Sequence, residues 1–124
     1  MADKKSTKKI LVAEDDKPIS EVLKIKLDAE GFDVTVAGDG KIATDYLTKE
    51  KYDLVLLDLI MPEMNGFDVL EWMKKEKTKT KVIVLTNLSQ PSDVEKAKSL
   101  GASDYIIKSD IDLSRVVEMI SNLS

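Results

Sequence analysis

Leu54-Val55-Leu56-Leu57-Asp58 is an apolar run that ends abruptly on an acid. Four consecutive aliphatic residues without alternation read as a short strand buried on both faces, as in a parallel sheet. A carboxylate at the C-terminal end of such a strand stands at the rim of the sheet, where open α/β folds bind ligands. Met61-Pro62-Glu63-Met64-Asn65-Gly66 follows closely. Pro62 has no N–H to give to a ladder, and Gly66 tolerates conformations that other residues avoid. The chain therefore turns sharply just past the acid.

The same grammar repeats on both sides. Lys9-Ile10-Leu11-Val12-Ala13 is a strand that ends on Glu14-Asp15-Asp16. Asp16 is a helix cap and Pro18 suits a first turn; Ile19, Val22, Leu23 and Leu27 then form one apolar helical face, which Gly31 stops. Phe32 to Ala37 is a shorter, more polar strand suited to an edge. Gly38-Asp39-Gly40 turns into a helix marked by Ile42, Ala43, Tyr46 and Leu47. Beyond the central strand, Phe67, Leu70 and Met73 line a third helix, which runs into the lysine-rich stretch from Lys74 to Lys81. Val82-Ile83-Val84-Leu85 is a buried strand ending on Thr86. Val94, Ala97 and Leu100 mark a fourth helix stopped by Gly101, and Tyr105-Ile106-Ile107 is a strand ending on Lys108. Asp110 or Asp112 caps a last helix that buries Leu113, Val116, Val117 and Ile120.

Strand and helix thus alternate five times, which implies an α/β fold: a five-stranded parallel sheet with helices on both faces and right-handed crossovers. The reading is a flavodoxin-like, doubly wound (βα)5 sandwich of strand order 2-1-3-4-5. A basic tail over residues 1–8 precedes a single domain over 9–124. Lys4, Lys5, Lys8 and Lys9 form a small positive cluster where the two meet, read as a solvated terminus.

Composition narrows the chemistry. The chain has 124 residues, 43% hydrophobic and 34% charged, as expected of one globular domain with a real core. A net charge of −4 speaks against nucleic acid as a direct partner. No apolar run approaches the ~18 residues a membrane span needs. The polar start from Met1 to Lys9 has no apolar segment of the signal-peptide kind. The expectation is a cytoplasmic protein with no membrane partner. The chain contains no Cys and no His. That removes disulfides, thiolate chemistry, a Ser-His-Asp triad and any phosphohistidine of its own. Chemistry here must use Asp, Glu, Lys, Ser, Thr or Tyr.

In a parallel sheet all C-terminal strand ends share one edge, so Glu14, Asp15, Asp58, Thr86 and Lys108 should meet there. Three carboxylates at close range repel one another. A divalent cation relieves this, and an all-oxygen ligand set suits Mg²⁺. A metal on Asp15 and Asp58, with Glu14 holding a metal-bound water, leaves one Asp58 oxygen free to attack phosphorus. The three phosphoryl oxygens then need the cation, the Lys108 ammonium and the Thr86 hydroxyl.

These motifs resemble the receiver domains of two-component response regulators. The resemblance covers about Lys9 to Leu123 and rests on Glu14-Asp15 after the first strand, Asp58-Leu59-Ile60-Met61-Pro62 with Met64 and Gly66, Thr86, Tyr105 and Lys108. It implies that Asp58 is the phosphorylation site and that Asp15, Asp58 and the backbone carbonyl of Ile60 hold Mg²⁺, with Glu14 acting through water. It implies that Thr86 and Lys108 bind phosphoryl oxygens. Thr86 and Tyr105 would be the switch that reports phosphorylation to a face made of helix 4, strand 5 and helix 5. The implied partners are a histidine kinase or phosphotransfer protein, docking near helix 1, and a downstream protein bound around Val94 to Leu100, Tyr105 and the last helix. The oligomeric expectation is a monomer or a weak, phosphorylation-dependent dimer. On this reading the protein catalyses only its own phosphorylation and slow dephosphorylation and is not otherwise an enzyme. No output domain follows Ser124, so the expectation is an effect that passes through another protein, unless this chain is a fragment.

The sequence departs from the receiver pattern in places. Lys108-Ser109 stands where Lys-Pro is usual, and a trans bond is expected there. Asn87 replaces a small residue after Thr86, and Asn65 replaces a frequent Asp. Ile60 and Leu88, each two residues past a site residue, are apolar and cannot orient an attacking water, so slow self-dephosphorylation is expected. Other functions fit less well. A haloacid-dehalogenase-type phosphohydrolase needs a second Asp two residues past its nucleophile, then a Thr, and a cap domain. A flavodoxin-like electron carrier needs a Ser/Thr/Gly-rich phosphate loop after the first strand, where this chain has acids. A phosphorylation-independent docking module leaves the acid set without a purpose.

Overall fold

The computed structural model describes residues 8–110 and 112–123. In chain order the elements are β1 (Lys9–Ala13), α1 (Lys17–Ala29), β2 (Asp33–Ala37), α2 (Gly40–Lys49), β3 (Leu54–Leu57), α3 (Gly66–Lys75), β4 (Lys81–Thr86), α4 (Pro91–Ser99), β5 (Asp104–Ile107) and α5 (Leu113–Leu123). The strands form one sheet in the order β2-β1-β3-β4-β5, and every neighbouring pair is parallel. The expected architecture and the edge position of β2 are both found. Lys4, Lys5 and most of the tail lie outside the described residues.

The central strand shows why periodicity is silent here. All four residues of β3 are buried, because helices cover both faces. The pleat sends alternate residues to opposite layers. Leu11, Ala13, Val55, Leu57, Val82 and Val84 face α2, α3 and α4, where Ala43, Val69, Leu70, Met73 and Ala97 meet them. Ile10, Val12, Leu54, Leu56, Ile83 and Leu85 face α1 and α5, packed by Leu23, Leu27, Val116, Val117 and Ile120. Each fully buried aliphatic side chain contributes about 1.5–3 kcal/mol against exposure.

Helix boundaries follow the capping residues. Asp16 accepts from the Ile19 amide at 3.4 Å and Asp39 from the Ile42 amide at 2.8 Å. Asn65 and Asp68 form a reciprocal capping box at α3. Of the two acids offered for α5, Asp112 caps it, accepting from the Arg115 amide at 3.0 Å. Gly31 and Gly101 follow α1 and α4 with φ of 94° and 110°, the left-handed conformation of helix ends. Val22 and Ile42, assigned from spacing to apolar faces, are exposed. Each lies one residue before a buried position, Leu23 and Ala43, so the buried stripe is narrower than the spacing implied. Gly40, read as part of a turn, is the first residue of α2. No peptide bond among the described residues is cis, so Lys108–Ser109 is trans, and the chain continues as a single 3₁₀ turn over Lys108–Asp110. Among the described residues no helix is long and apolar enough to cross a membrane.

Candidate functional site

Strand register builds the site. Ala13 pairs with Leu57 across β1 and β3, so Glu14 and Asp58 leave the sheet side by side. The ladder runs one step beyond: the Asp58 amide donates to the Ala13 carbonyl at 3.0 Å, and the Glu14 amide donates to Ala37 at 3.0 Å. Thr86 pairs with Ile107, which places Lys108 one residue past the end of the β4–β5 ladder.

Asp58 and Glu14 are each only 4% exposed, while Asp15 is exposed. One oxygen from each of the three carboxylates lies within 4.8 Å of the others. Lys108 stands between the two buried acids, with Nζ 2.9 Å from Asp58 Oδ2 and 2.7 Å from Glu14 Oε1. The remaining oxygens are also partnered. Asp58 Oδ1 accepts from the Ile60 amide at 3.1 Å, and Glu14 Oε2 accepts from the Asp16 amide at 3.0 Å.

Burial dominates the electrostatics of Glu14. Desolvation pushes its carboxyl up to about 7, with the Asp58 charge adding, against hydrogen bonds from Lys108 and the Asp16 amide that pull it down. Burial alone would lower the Lys108 ammonium, but its hydrogen bonds to Glu14 and Asp58 outweigh that and hold it above its ordinary value. The donor set fits a hard divalent cation: oxygen ligands only, two of them buried and the third open to solvent.

The loop after Asp58 is tightly held. The Met64 amide donates to the Pro62 carbonyl at 2.7 Å, and the residue between them, Glu63, has a φ of 65°. That is the rarer, strained kind of γ-turn. A non-glycine residue in the left-handed region costs on the order of 1–3 kcal/mol and persists where its surroundings over-determine it. Gly66 closes the loop by donating to the Leu59 carbonyl at 3.1 Å. A Cβ on Gly66 would lie 2.4 Å from the Asp58 carbonyl oxygen, so only glycine lets α3 start this close to the acid.

Thr86 is fully buried, and its hydroxyl accepts a long hydrogen bond from the Leu88 amide, at 3.5 Å. No hydrogen bond among the described residues joins Thr86 to Asp58 or Lys108. The Tyr105 hydroxyl donates to the Leu88 carbonyl at 2.7 Å. Thr86 and Tyr105 are therefore connected, and Leu88 connects them: its amide serves one and its carbonyl the other. Desolvation raises the Tyr105 phenol above its usual value, helped by the charges of Asp93 and Asp58.

The structure brings Glu14, Asp15, Asp58 and Lys108 into one cluster and links Thr86 to Tyr105 beside it. It does not place Lys108 free in solvent: the ammonium is already the counter-charge of Asp58 and Glu14. Ile60 meets Asp58 through its amide, while its side chain is 52% exposed. Two contributors were not legible in the sequence, the Leu88 backbone and the packing of Gly40 on this loop. Both depend on contacts between segments distant in the chain.

The family model for the response regulator receiver domain matches residues 10–121. The transcriptional regulatory protein DltR of Streptococcus agalactiae (serotype III, strain NEM316) is 39% identical over 100 residues, covering 81% of this chain and 45% of that protein. The chain thus spans less than half the length of such relatives. The receiver domain of the Francisella response regulator 1452 superposes with a TM-score of 0.87 at 32% identity, covering 94% of this chain and 96% of that one. The response regulator TrrA of Thermotoga maritima, solved in complex with Mg(2+)-BeF, superposes with a TM-score of 0.81 at 34% identity, covering 95% of this chain and 100% of that one. With the 2-1-3-4-5 sheet and the acid cluster at its C-terminal edge, these matches show that the chain belongs to the response regulator receiver domains, the phosphorylation-activated signalling receivers of two-component systems.

Proposed function

We propose that Asp58 is the phosphoacceptor and that Asp15, Asp58 and the Ile60 backbone carbonyl hold Mg²⁺, with Glu14 acting through a water. The observation that carries this reading is the convergence of Glu14, Asp15 and Asp58 within 4.8 Å, with Lys108 2.9 Å from Asp58. When bound, Mg²⁺ supplies positive charge that neutralises phosphoryl oxygens and the mutual repulsion of the acids.

The residues of the chain do the rest. An Asp58 carboxylate oxygen attacks phosphorus in line with the leaving group. On transfer from a phosphohistidine the P–N bond breaks as the O–P bond forms, and the imidazole departs with its proton. Lys108 slides from the carboxylates onto a phosphoryl oxygen, a short move for a flexible ammonium with three donors. The Thr86 hydroxyl leaves the Leu88 amide to donate to another oxygen. That loosens the Leu88 bridge to Tyr105 and communicates the event to the face of α4, β5 and α5. The chain works as a switch rather than as an enzyme on other substrates.

The donor in the cell is a histidine kinase or phosphotransfer protein docking near α1, and the output is a protein bound on the α4-β5-α5 face. The working unit is the domain over 9–124, and its place is the cytoplasm.

The test is incubation with acetyl phosphate or phosphoramidate plus Mg²⁺, read by intact mass. The mass rises by one phosphoryl group in the native protein and stays unchanged in Asp58→Asn. Incorporation in Asp58→Asn, or none in the native protein, overturns the assignment.

A further inference from the structure

We propose that Gly40 is a positioning residue for the Asp58 site: α2 begins on a bare glycine so that the strained Pro62–Met64 turn can rest against it. The inference builds on the reading of Asp58 as phosphoacceptor and metal ligand. A Cβ on Gly40 would lie 1.9 Å from the Met64 carbonyl oxygen, 2.7 Å from the carbonyl carbon and 2.9 Å from Met64 Cβ. The two closest are backbone atoms, so no side-chain rotation relieves the clash.

Conformation does not explain this glycine. Gly40 is not among the residues with positive φ, unlike Gly31 and Gly101. Space alone demands it. A methyl group added at Gly38, two residues earlier, would meet nothing within 4 Å, so the requirement is confined to one position. What holds α2 in place is Ala43, fully buried against the sheet and α3 one turn into the helix.

The same short junction touches the other acid-bearing loop. The Ala37 carbonyl accepts from the Glu14 amide at 3.0 Å. Residues 37–40 therefore contact the Glu14 loop at one end and the 58–66 loop at the other. The β1–β3 ladder, where Ala13 pairs with Leu57, sets the spacing of Glu14 and Asp58, and the 37–40 junction bears on the 58–66 loop that carries the Ile60 carbonyl. The strained conformation of Glu63 needs an external brace, and the Gly40 backbone against Met64 supplies it.

The test compares Gly40→Ala, Gly38→Ala, Glu63→Gly and the double variant Gly40→Ala/Glu63→Gly. Mg²⁺ affinity is read by NMR titration with MgCl₂ on protein shown to be folded by its thermal transition. Gly40→Ala weakens Mg²⁺ by about 10-fold or more, the usual cost of disturbing residues that hold metal ligands in place. Gly38→Ala and Glu63→Gly leave it unchanged, since the first meets nothing and the second fits a φ of 65° without strain. In the double variant the pliable turn absorbs the methyl and part of the affinity returns. Native affinity in Gly40→Ala, an equal loss in Gly38→Ala, or no recovery in the double variant overturns the proposal. If Gly40→Ala does not fold, the double variant decides alone: folded with Mg²⁺ affinity reduced by less than about 10-fold supports positioning, and native affinity or a loss of about 10-fold or more refutes it. A native protein that binds Mg²⁺ but takes no phosphoryl group sinks the phosphoacceptor reading and leaves the Gly40 result standing.

Discussion

The Lys108 ammonium donates to Asp58 Oδ2 at 2.9 Å, across fifty residues of sequence. The same nitrogen reaches Glu14 at 2.7 Å, so one cation neutralises two buried acids. This pairing explains how the fold tolerates carboxylates at a nearly dry strand end. Removing one partner of a buried pair leaves the other uncompensated.

Lys108→Met should therefore cost stability, by about 3 kcal/mol or somewhat less, because Glu14 can escape by taking up a proton. The loss should be larger above pH 7 than below it, where Glu14 is neutral. Phosphoryl incorporation from acetyl phosphate should fall to near background while Mg²⁺ still binds. Urea unfolding at two pH values and intact mass check both halves.

Glu14 gives the metal-free protein a pH slope of defined sign. Its folded value of about 7 exceeds the ordinary 4.5. Between these values the folded state holds a proton that the unfolded state has released. Stability is therefore fully supported below about pH 4.5 and declines as pH rises toward 7. Each unit of separation is worth about 1.4 kcal/mol, so the decline amounts to a few kcal/mol. Glu14→Gln should flatten the slope. Mg²⁺ affinity should rise over the same window, because the ionised carboxylate is what a hydrated cation selects. Equal slopes in the native protein and Glu14→Gln would refute this.

Tyr105→Phe removes the hydrogen bond to the Leu88 carbonyl. The expected cost is about 1 kcal/mol in thermal stability. The rate of phosphorylation by a small donor should stay within a factor of about two, since Tyr105 makes no hydrogen bond to Asp58. Shifts of α4 amides on phosphorylation should shrink. A variant whose α4 amides shift as fully as the native ones would separate Tyr105 from the switch.

Ile60 projects an apolar, 52% exposed side chain beside Asp58, and the half-buried Leu88 is the second apolar residue of the pattern. Neither can hold a water for attack on phosphorus. The phosphorylated protein should persist for minutes or longer without a phosphatase, and Ile60→Asn should shorten its lifetime several-fold. Decay within seconds in the native protein would refute the first statement. An unchanged lifetime in Ile60→Asn would refute the second.

The amino-acid sequence by itself determined the strands, their shared buried character and the acids at their ends. Four aliphatic residues in β3 need cover on both sides, and alternating helices provide it, so the sheet order and the meeting of Glu14, Asp15, Asp58 and Lys108 followed from local pattern and topology. Tertiary structure alone decided how the residues pair. Whether Lys108 faces solvent or the two acids depends on a register spanning β1, β3, β4 and β5. The bridge from Thr86 to Tyr105 runs through the Leu88 backbone, which no side-chain motif marks. The need for glycine at position 40 comes from Met64, a neighbour in space but distant along the chain. Such contacts arise from close packing between distant segments, and close packing leaves no trace in the local periodicity of either segment.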